Sequence, residues 1–126
     1  MISGIGIDIV SVERIAALWK KHGERFLSRC FTLGEQEYCL KRRFPAEHLA
    51  ARFAAKEAVA KALPVGFKPG WKDVEVVKGK RGPEIKISGA PNDLGKVWVS
   101  LSHEREMAVA MVVISKEGKE IETNNR

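Results

Sequence analysis

Residues 46–62 contain eight alanines and neither glycine nor proline, and they lie between Pro45 and Pro64. Alanine has the highest helix propensity, and proline suits the first helical position but not the interior. The spacing therefore predicts one long helix from Pro45 to about Ala62, stopped by Pro64 and Gly66. In a chain of 126 residues, which fits one domain (1–126), any sheet must pack on that helix. Leu49, Phe53, Ala60 and Leu63 are placed on its core face. At about 100° per residue, Glu57 and Lys61 share a neighbouring face with Ala50 and Ala54, which leaves room beside two charges.

The segment before it alternates. Ile5, Ile7 and Ile9 form one apolar face of a strand, and Gly4, Gly6, Asp8 and Val10 point the other way. Asp8 thus follows two glycines where a neighbouring backbone can approach closely. Ser11 offers an N-cap to a helix carrying an Ile15, Leu18, Trp19 stripe and ended by Gly23. A short helix is expected over Glu24 to Cys30. Thr32 and Glu35 form a capping box for a helix from Leu33 to about Arg43, which would end in three cations. Further on, 74–77 and 84–88 read as strands around a turn at Lys78 to Gly82. Val97 to Leu101 and the wholly apolar Met107 to Ile114 read as a hairpin about Glu104-Arg105-Glu106. An apolar run of that kind calls for cover on both faces. The polar tail, 116–126, is expected to fray. The fold class is α+β: an antiparallel sheet packed against a long helix.

Lys and Arg number 22 against 16 Asp and Glu, for a formal charge of +6. Residues 1–63 hold 11 of those cations and 7 of the acids. Such an excess suits an anionic partner as well as a solvated surface. Cys30 and Cys39 are too few for a disulfide framework and lack metal spacing, so both are expected in the core. Trp19 and Trp98 are likewise placed in the core rather than as stacking platforms. The N-terminus lacks a signal-peptide pattern, and no run approaches the ~18 apolar residues that span a membrane. A cytoplasmic protein with no membrane partner is expected. No nucleic-acid-binding signature is visible, and Gly4-x-Gly6 lacks phosphate-loop spacing.

Four places could carry chemistry. Asp8 is a carboxylate in mid-strand, costly there unless paired or bound to metal. Lys56-Glu57 with Lys61 could be no more than an exposed i, i+4 pair. Ser102 and His103 are adjacent in a strand and so point to opposite faces, which rules out a nucleophile–base pair. Arg14, Lys21, Arg25, Lys41, Arg42 and Arg43 form either a docking face or a solvated one.

Taken together, Gly4-Ile-Gly-Ile-Asp8-Ile-Val with Arg14, the Arg52-Phe-Ala-Ala-Lys56-Glu57-Ala-Val-Ala-Lys61-Ala62 helix, the Gly82-Pro83 turn and Ser100-Leu-Ser-His103 resemble the holo-acyl-carrier-protein synthases, the short phosphopantetheinyl transferases. The likeness covers residues 2 to 115 and departs at Pro64-Val65-Gly66, where the family has glycine directly after the helix. It implies transfer of 4′-phosphopantetheine from coenzyme A to a serine of an acyl carrier protein in fatty acid biosynthesis. It implies Mg²⁺ held by Asp8 and Glu57, with coenzyme A phosphates near Arg52, Lys56, Lys61 and His103. Lys61 would assist catalysis, and Glu57, or a water it orients, would take the serine proton. It further implies a homotrimer with active sites between subunits, whose strands complete a shared core. Carriers of this kind are acidic, so Arg14, Lys21, Arg25, Lys41, Arg42 and Arg43 become docking candidates. The alternative is a non-catalytic basic module that binds RNA or an acidic protein. A polyanion-binding face has no reason to keep Asp8 and Glu57 among its cations.

Overall fold

The computed structural model describes residues 1–117. The expected frayed tail lies outside them from residue 118 on. Lys116 does not fray: its N–H donates to the Met1 carbonyl (2.8 Å), and the Met1 ammonium donates back to the Lys116 carbonyl (2.9 Å).

The elements run β1 (Ile2–Ser11), α1 (Val12–His22), α2 (Glu24–Cys30), α3 (Leu33–Leu40), α4 (Pro45–Ala62), a 3₁₀ turn (Trp71–Asp73), β2 (Val74–Gly79), β3 (Gly82–Ile87), β4 (Lys96–His103) and β5 (Met107–Ser115). The local signals act as expected. The Ser11 hydroxyl accepts from the Arg14 N–H at 3.2 Å. Gly23 takes a left-handed φ of 57° between α1 and α2, where a Cβ would be strained. Both halves of the Thr32–Glu35 capping box form. However, α3 stops at Leu40, so Lys41, Arg42 and Arg43 follow the helix rather than end it.

Two antiparallel sheets result. One has the order β1-β5-β4 and the other is the β2-β3 hairpin. α4 lies across the larger sheet, and the core forms between them from Ala54, Ala58, Val10, Ala110, Val112 and Ile114 with their neighbours. The glycines of β1 set how closely α4 approaches. A Cβ on Gly6 would fall 1.9 Å from the Ala58 carbonyl oxygen, and one on Gly4 would fall 2.0 Å from that of Ala62. Backbone therefore meets backbone with no side chain between.

Within one chain the structure corrects three expectations, cover on both faces of β5 and core places for Trp98 and Ala60, and it shows which face of β1 meets α4. The face of β1 turned to α4 is the glycine face, and Ile5, Ile7 and Ile9 stand about 60% exposed on the other side. β5 is buried on one face only, through Ala108, Ala110, Val112 and Ile114, while Met107 and Met111 are exposed. Trp98 is half exposed on that same outer face, and on α4 it is Ala60 that faces outward. Cys30 and Cys39 are buried thiols, as expected, and burial pushes the Cys39 thiol up to about 11.

One buried ion pair ties the helices to the hairpin. Glu35 on α3 and Lys56 on α4 meet at 2.7 Å with almost no exposed surface. Lys56 Nζ also donates to the carbonyls of Trp71 and Val74. The Glu35 carboxylate accepts from the N–H of Thr32 (2.9 Å) and of Val76 (2.8 Å). All three ammonium protons and both carboxylate oxygens are thereby used. Removing one partner strands a buried charge, so Glu35→Ala or Lys56→Ala should each lose about 3–5 kcal/mol in urea unfolding. The double replacement Glu35→Leu/Lys56→Met should lose less than either single variant.

Candidate functional site

The strand–helix approach fixes the first cluster. Gly4 opposes Ala62 and Gly6 opposes Ala58, four helical residues for two strand residues. Continuing that progression sets Asp8 beside the turn of α4 that ends at Glu57. Lys61 completes the group: its Nζ donates to the Ile7 carbonyl (2.9 Å) and to Asp8 Oδ1 (3.2 Å). The Asp8 side chain keeps 17% of its surface and that of Lys61 54%. Glu57 has no ion-pair partner among the described residues and borders a cavity of about 130 Å³ with Ala60, Pro69, Gly70 and Trp71. A carboxylate pair, one member free and the other held by a lysine, suits a hard cation. No cluster of three or more metal-ligating side chains occurs among the described residues. A magnesium ion does not require one, since one or two protein carboxylates suffice when substrate phosphates fill the shell.

A second cluster lies on the other side of α4. Arg52, Tyr38, His48, Lys78, Pro83 and His103 border a cavity of about 230 Å³. Arg52 is 8% exposed, and its buried Nε has no partner among the described residues. Its guanidinium stacks 4.1 Å from the Tyr38 ring, as does that of Arg42 at 3.9 Å. The guanidinium also donates to the His48 carbonyl at 3.5 Å, so it keeps a fixed positive charge at the edge of this cavity. His103, at the end of β4, sits 3.0 Å through Nδ1 from Glu47 Oε1. Its ring packs edge-on against His48 at 4.7 Å. Burial lowers the His48 pKa below its usual 6.5, helped by His103, so His48 is neutral at pH 7.

The residues expected around one ligand therefore divide. Arg52 and Lys61 are nine residues apart on α4, which places them about 180° apart around the helix and about 13 Å along it. Asp8, Glu57 and Lys61 gather on one side, and Arg52 and His103 on the other. Lys56 borders the Glu57 cavity, but its three protons are committed to Glu35 and two carbonyls. A phosphate contact at Lys56, as the resemblance implies, would have to displace one of these bonds.

The cations expected to dock a partner also divide. Arg14 lies 5.8 Å from the Phe53 ring. Arg25 borders a groove of about 660 Å³ with Leu18, Phe26, Phe53 and Trp71, and Lys21 is exposed on α1 nearby. Lys41 pairs instead with Glu37 (3.2 Å), Arg42 stacks on Tyr38, and Arg43 lies 5.3 Å from the Phe44 ring. Lys41 and Arg42 border a cavity that Arg52 and Tyr38 also line. Sequence reasoning missed Tyr38, Glu47, His48 and Lys78. Glu47 and His48 carried a faint signal as polar residues in the first turns of an otherwise alanine-rich helix.

Residues 4–112 match the model of the 4′-phosphopantetheinyl transferase superfamily. The holo-[acyl-carrier-protein] synthase of Protochlamydia amoebophila is 50% identical over 121 residues, covering 91% of this chain and 99% of that one. A crystal structure of a holo-(acyl-carrier-protein) synthase from Bacillus anthracis in complex with CoA (3′,5′-ADP) superposes with a TM-score of 0.77 at 37% identity, covering 93% of this chain and 99% of that one. That of the Neisseria meningitidis holo-[acyl-carrier-protein] synthase gives 0.82 at 36%, covering 92% and 100%.

Proposed function

The chain belongs to the 4′-phosphopantetheinyl transferase superfamily, and from that premise we propose that it is a holo-acyl-carrier-protein synthase. It moves 4′-phosphopantetheine from coenzyme A to a serine of an apo acyl carrier protein and releases adenosine 3′,5′-bisphosphate, a step of fatty acid biosynthesis that belongs in the cytoplasm. The observation that carries this reading is the Asp8–Lys61 contact beside a free Glu57. It combines oxygen donors for a cation with a fixed ammonium, which transfer of a charged phosphoryl group requires and a polyanion-binding module does not.

In the reaction the serine oxygen bonds to the β-phosphorus of the pyrophosphate. The bond from that phosphorus to the bridging oxygen breaks, and the leaving oxygen carries away the electron pair. Asp8 and Glu57 would hold Mg²⁺, which when bound supplies positive charge at the phosphoryl oxygens. Lys61 adds a second positive charge beside Asp8, set before the substrate arrives and so costing little reorganisation. Glu57, which pairs with no lysine or arginine among the described residues, would take the serine proton directly or through a water it orients. Arg52 and His103 would hold coenzyme A phosphate groups on the other side of α4.

A substrate that meets both sides of one helix needs two copies of the chain. The outer face of the larger sheet supports this, because Ile5, Ile7, Ile9, Met107, Met111 and Trp98 form a continuous apolar surface with the β1–β5–β4 register. In the proposed homotrimer these faces meet, and Arg52 and His103 of one subunit complete the Asp8–Glu57–Lys61 cluster of the next. Arg14, Lys21 and Arg25 form the rim that meets the acidic carrier, beside the groove at Phe53 and Trp71. Arg42 and its neighbours Lys41 and Arg43 are nearer to the coenzyme A phosphates.

Incubation of the purified protein with apo carrier, coenzyme A and Mg²⁺ should add one phosphopantetheine to the carrier by mass spectrometry. Asp8→Ala and Glu57→Ala should each cut the rate at least ~100-fold while the melting temperature holds, since each removes a group at the charge-stabilising centre. Near-normal turnover at limiting Mg²⁺ would refute the assignment.

Light scattering at micromolar concentration should return three times the 14.0 kDa chain mass. A value of one chain mass would remove the proposed shared site.

Arg14→Glu should raise the Michaelis constant for the carrier, and added salt should shrink the difference from the parent, as for a charged rim. Arg42→Glu should instead raise that for coenzyme A. Equal effects of both variants on the carrier alone would return the Lys41–Arg43 run to the docking face.

A further inference from the structure

His103 stands at a strand end with its two ring nitrogens in different surroundings. Nδ1 is 3.0 Å from Glu47 Oε1, and the ring borders the cavity that Arg52 also lines. An ionised carboxylate only accepts, so the proton of this bond sits on Nδ1. The Glu47 side chain is 14% exposed and that of His103 28%, so the bond lies at the rim of the cavity, open to an incoming ligand. Glu47 is itself held in the first turn of α4, where the helix N-terminus favours a negative charge. The neutral His48 ring packs on His103 from the same helix and limits its rotation. Strand β4 fixes the other end, since His103 pairs with Ala108 of β5.

We propose that Glu47 is a positioning residue for the transfer reaction, acting only through His103. It keeps the Nδ1 proton in place and turns Nε2 toward the cavity, where Nε2 meets a phosphate oxygen of coenzyme A. A second proton on the ring then gives a cation with one N–H committed to Glu47 and the other free for the phosphate. A ring held by one carboxylate in this way presents its other nitrogen in a fixed direction, the arrangement by which outer-shell carboxylates orient ligating histidines. The proposal rests on the reading of the cavity as a coenzyme A phosphate site.

Three readouts test it. Glu47→Ala should raise the Michaelis constant for coenzyme A roughly 10-fold with turnover within a factor of about two, the scale of one hydrogen bond to a charged group. Glu47→Gln, whose amide oxygen still accepts from Nδ1, should recover most of that loss. In a His103→Ala background, Glu47→Ala should add nothing, because residues acting as one unit are not additive. Independently of activity, nitrogen-15 spectra of the histidine side chains should show His103 with its proton on Nδ1 in the parent and on Nε2 in Glu47→Ala. The His103 signals are identified by their loss in His103→Ala. An unchanged tautomer in Glu47→Ala overturns the proposal whatever the enzyme does. Additive losses in the double variant overturn it too, assigning Glu47 to the helix terminus alone. A parent that forms no holo carrier sinks the functional reading, and the spectra still decide the Glu47–His103 pairing.

Discussion

The Glu35–Lys56 pair fixes where the long helix lies against the rest of the chain. A buried pair of this kind contributes little net stability against apolar residues of the same size, because desolvating both charges offsets their attraction. Its consequence is geometric. An ammonium with three protons and a carboxylate with two backbone donors have one arrangement that satisfies everything, and a slipped helix would leave a charge buried and unpaired. Burial lowers the Lys56 pKa while the Glu35 charge opposes the change, so the contact is held by the ion pair itself. Lys56 faces α3 and β2, and its neighbour Glu57, about 100° further round α4, is thereby aimed toward the outer cavity. A structural lysine is thus adjacent in sequence to the carboxylate proposed for the site, and the pairing of the first sets the direction of the second.

The second constraint is the contact of α4 with the glycines of β1. With Gly4 and Gly6 beneath it, the helix backbone comes near enough for Lys61 to reach both the Ile7 carbonyl and Asp8. A side chain at Gly6 would collide with a backbone oxygen, which no rotamer change relieves. The small residues that suit the helix and the strand thus also deliver the carboxylate and the ammonium to one place. Alternation then sends the isoleucines outward, since a strand cannot turn both its glycines and its isoleucines to one helix.

Much of this was legible in the sequence where the signal is local. The Ser11 cap, the Thr32–Glu35 box, the Pro45 start of α4 and both hairpins depend on residues within a few positions of each other. The Asp8, Glu57 and Lys61 grouping was legible through resemblance and through the helix face shared by the last two. The missed features depend on the third dimension. Periodicity shows that β1 has an apolar face but not which face meets α4, and β5 is apolar on both. Lys56 and Lys61 look alike in sequence, and only the arrival of Glu35 and two carbonyls around Lys56 separates them. Glu47 and His103 lie far apart in the chain, so nothing local announces their contact. The three cations after α3 resembled a helix C-terminus, but the helix closes three residues earlier, and only Arg42 of the three turns onto Tyr38.

The division of the cationic groups around α4 bears on the proposed assembly. A helix with its side chains is about 10 Å across, and groups 180° apart on it cannot close on one phosphate. Asp8 and Lys61 are locked to each other across β1, and Arg52 is locked between His48 and Tyr38. Neither cluster can swing round to the other without breaking contacts that the core enforces. A long substrate could stretch past a single helix only by leaving its middle in water. Two copies, set with their apolar sheet faces together, would bring unlike sides of α4 toward a common ligand. On this view the exposed isoleucines and the divided cations have one cause: the chain is folded to present half of a site on each side of its longest helix.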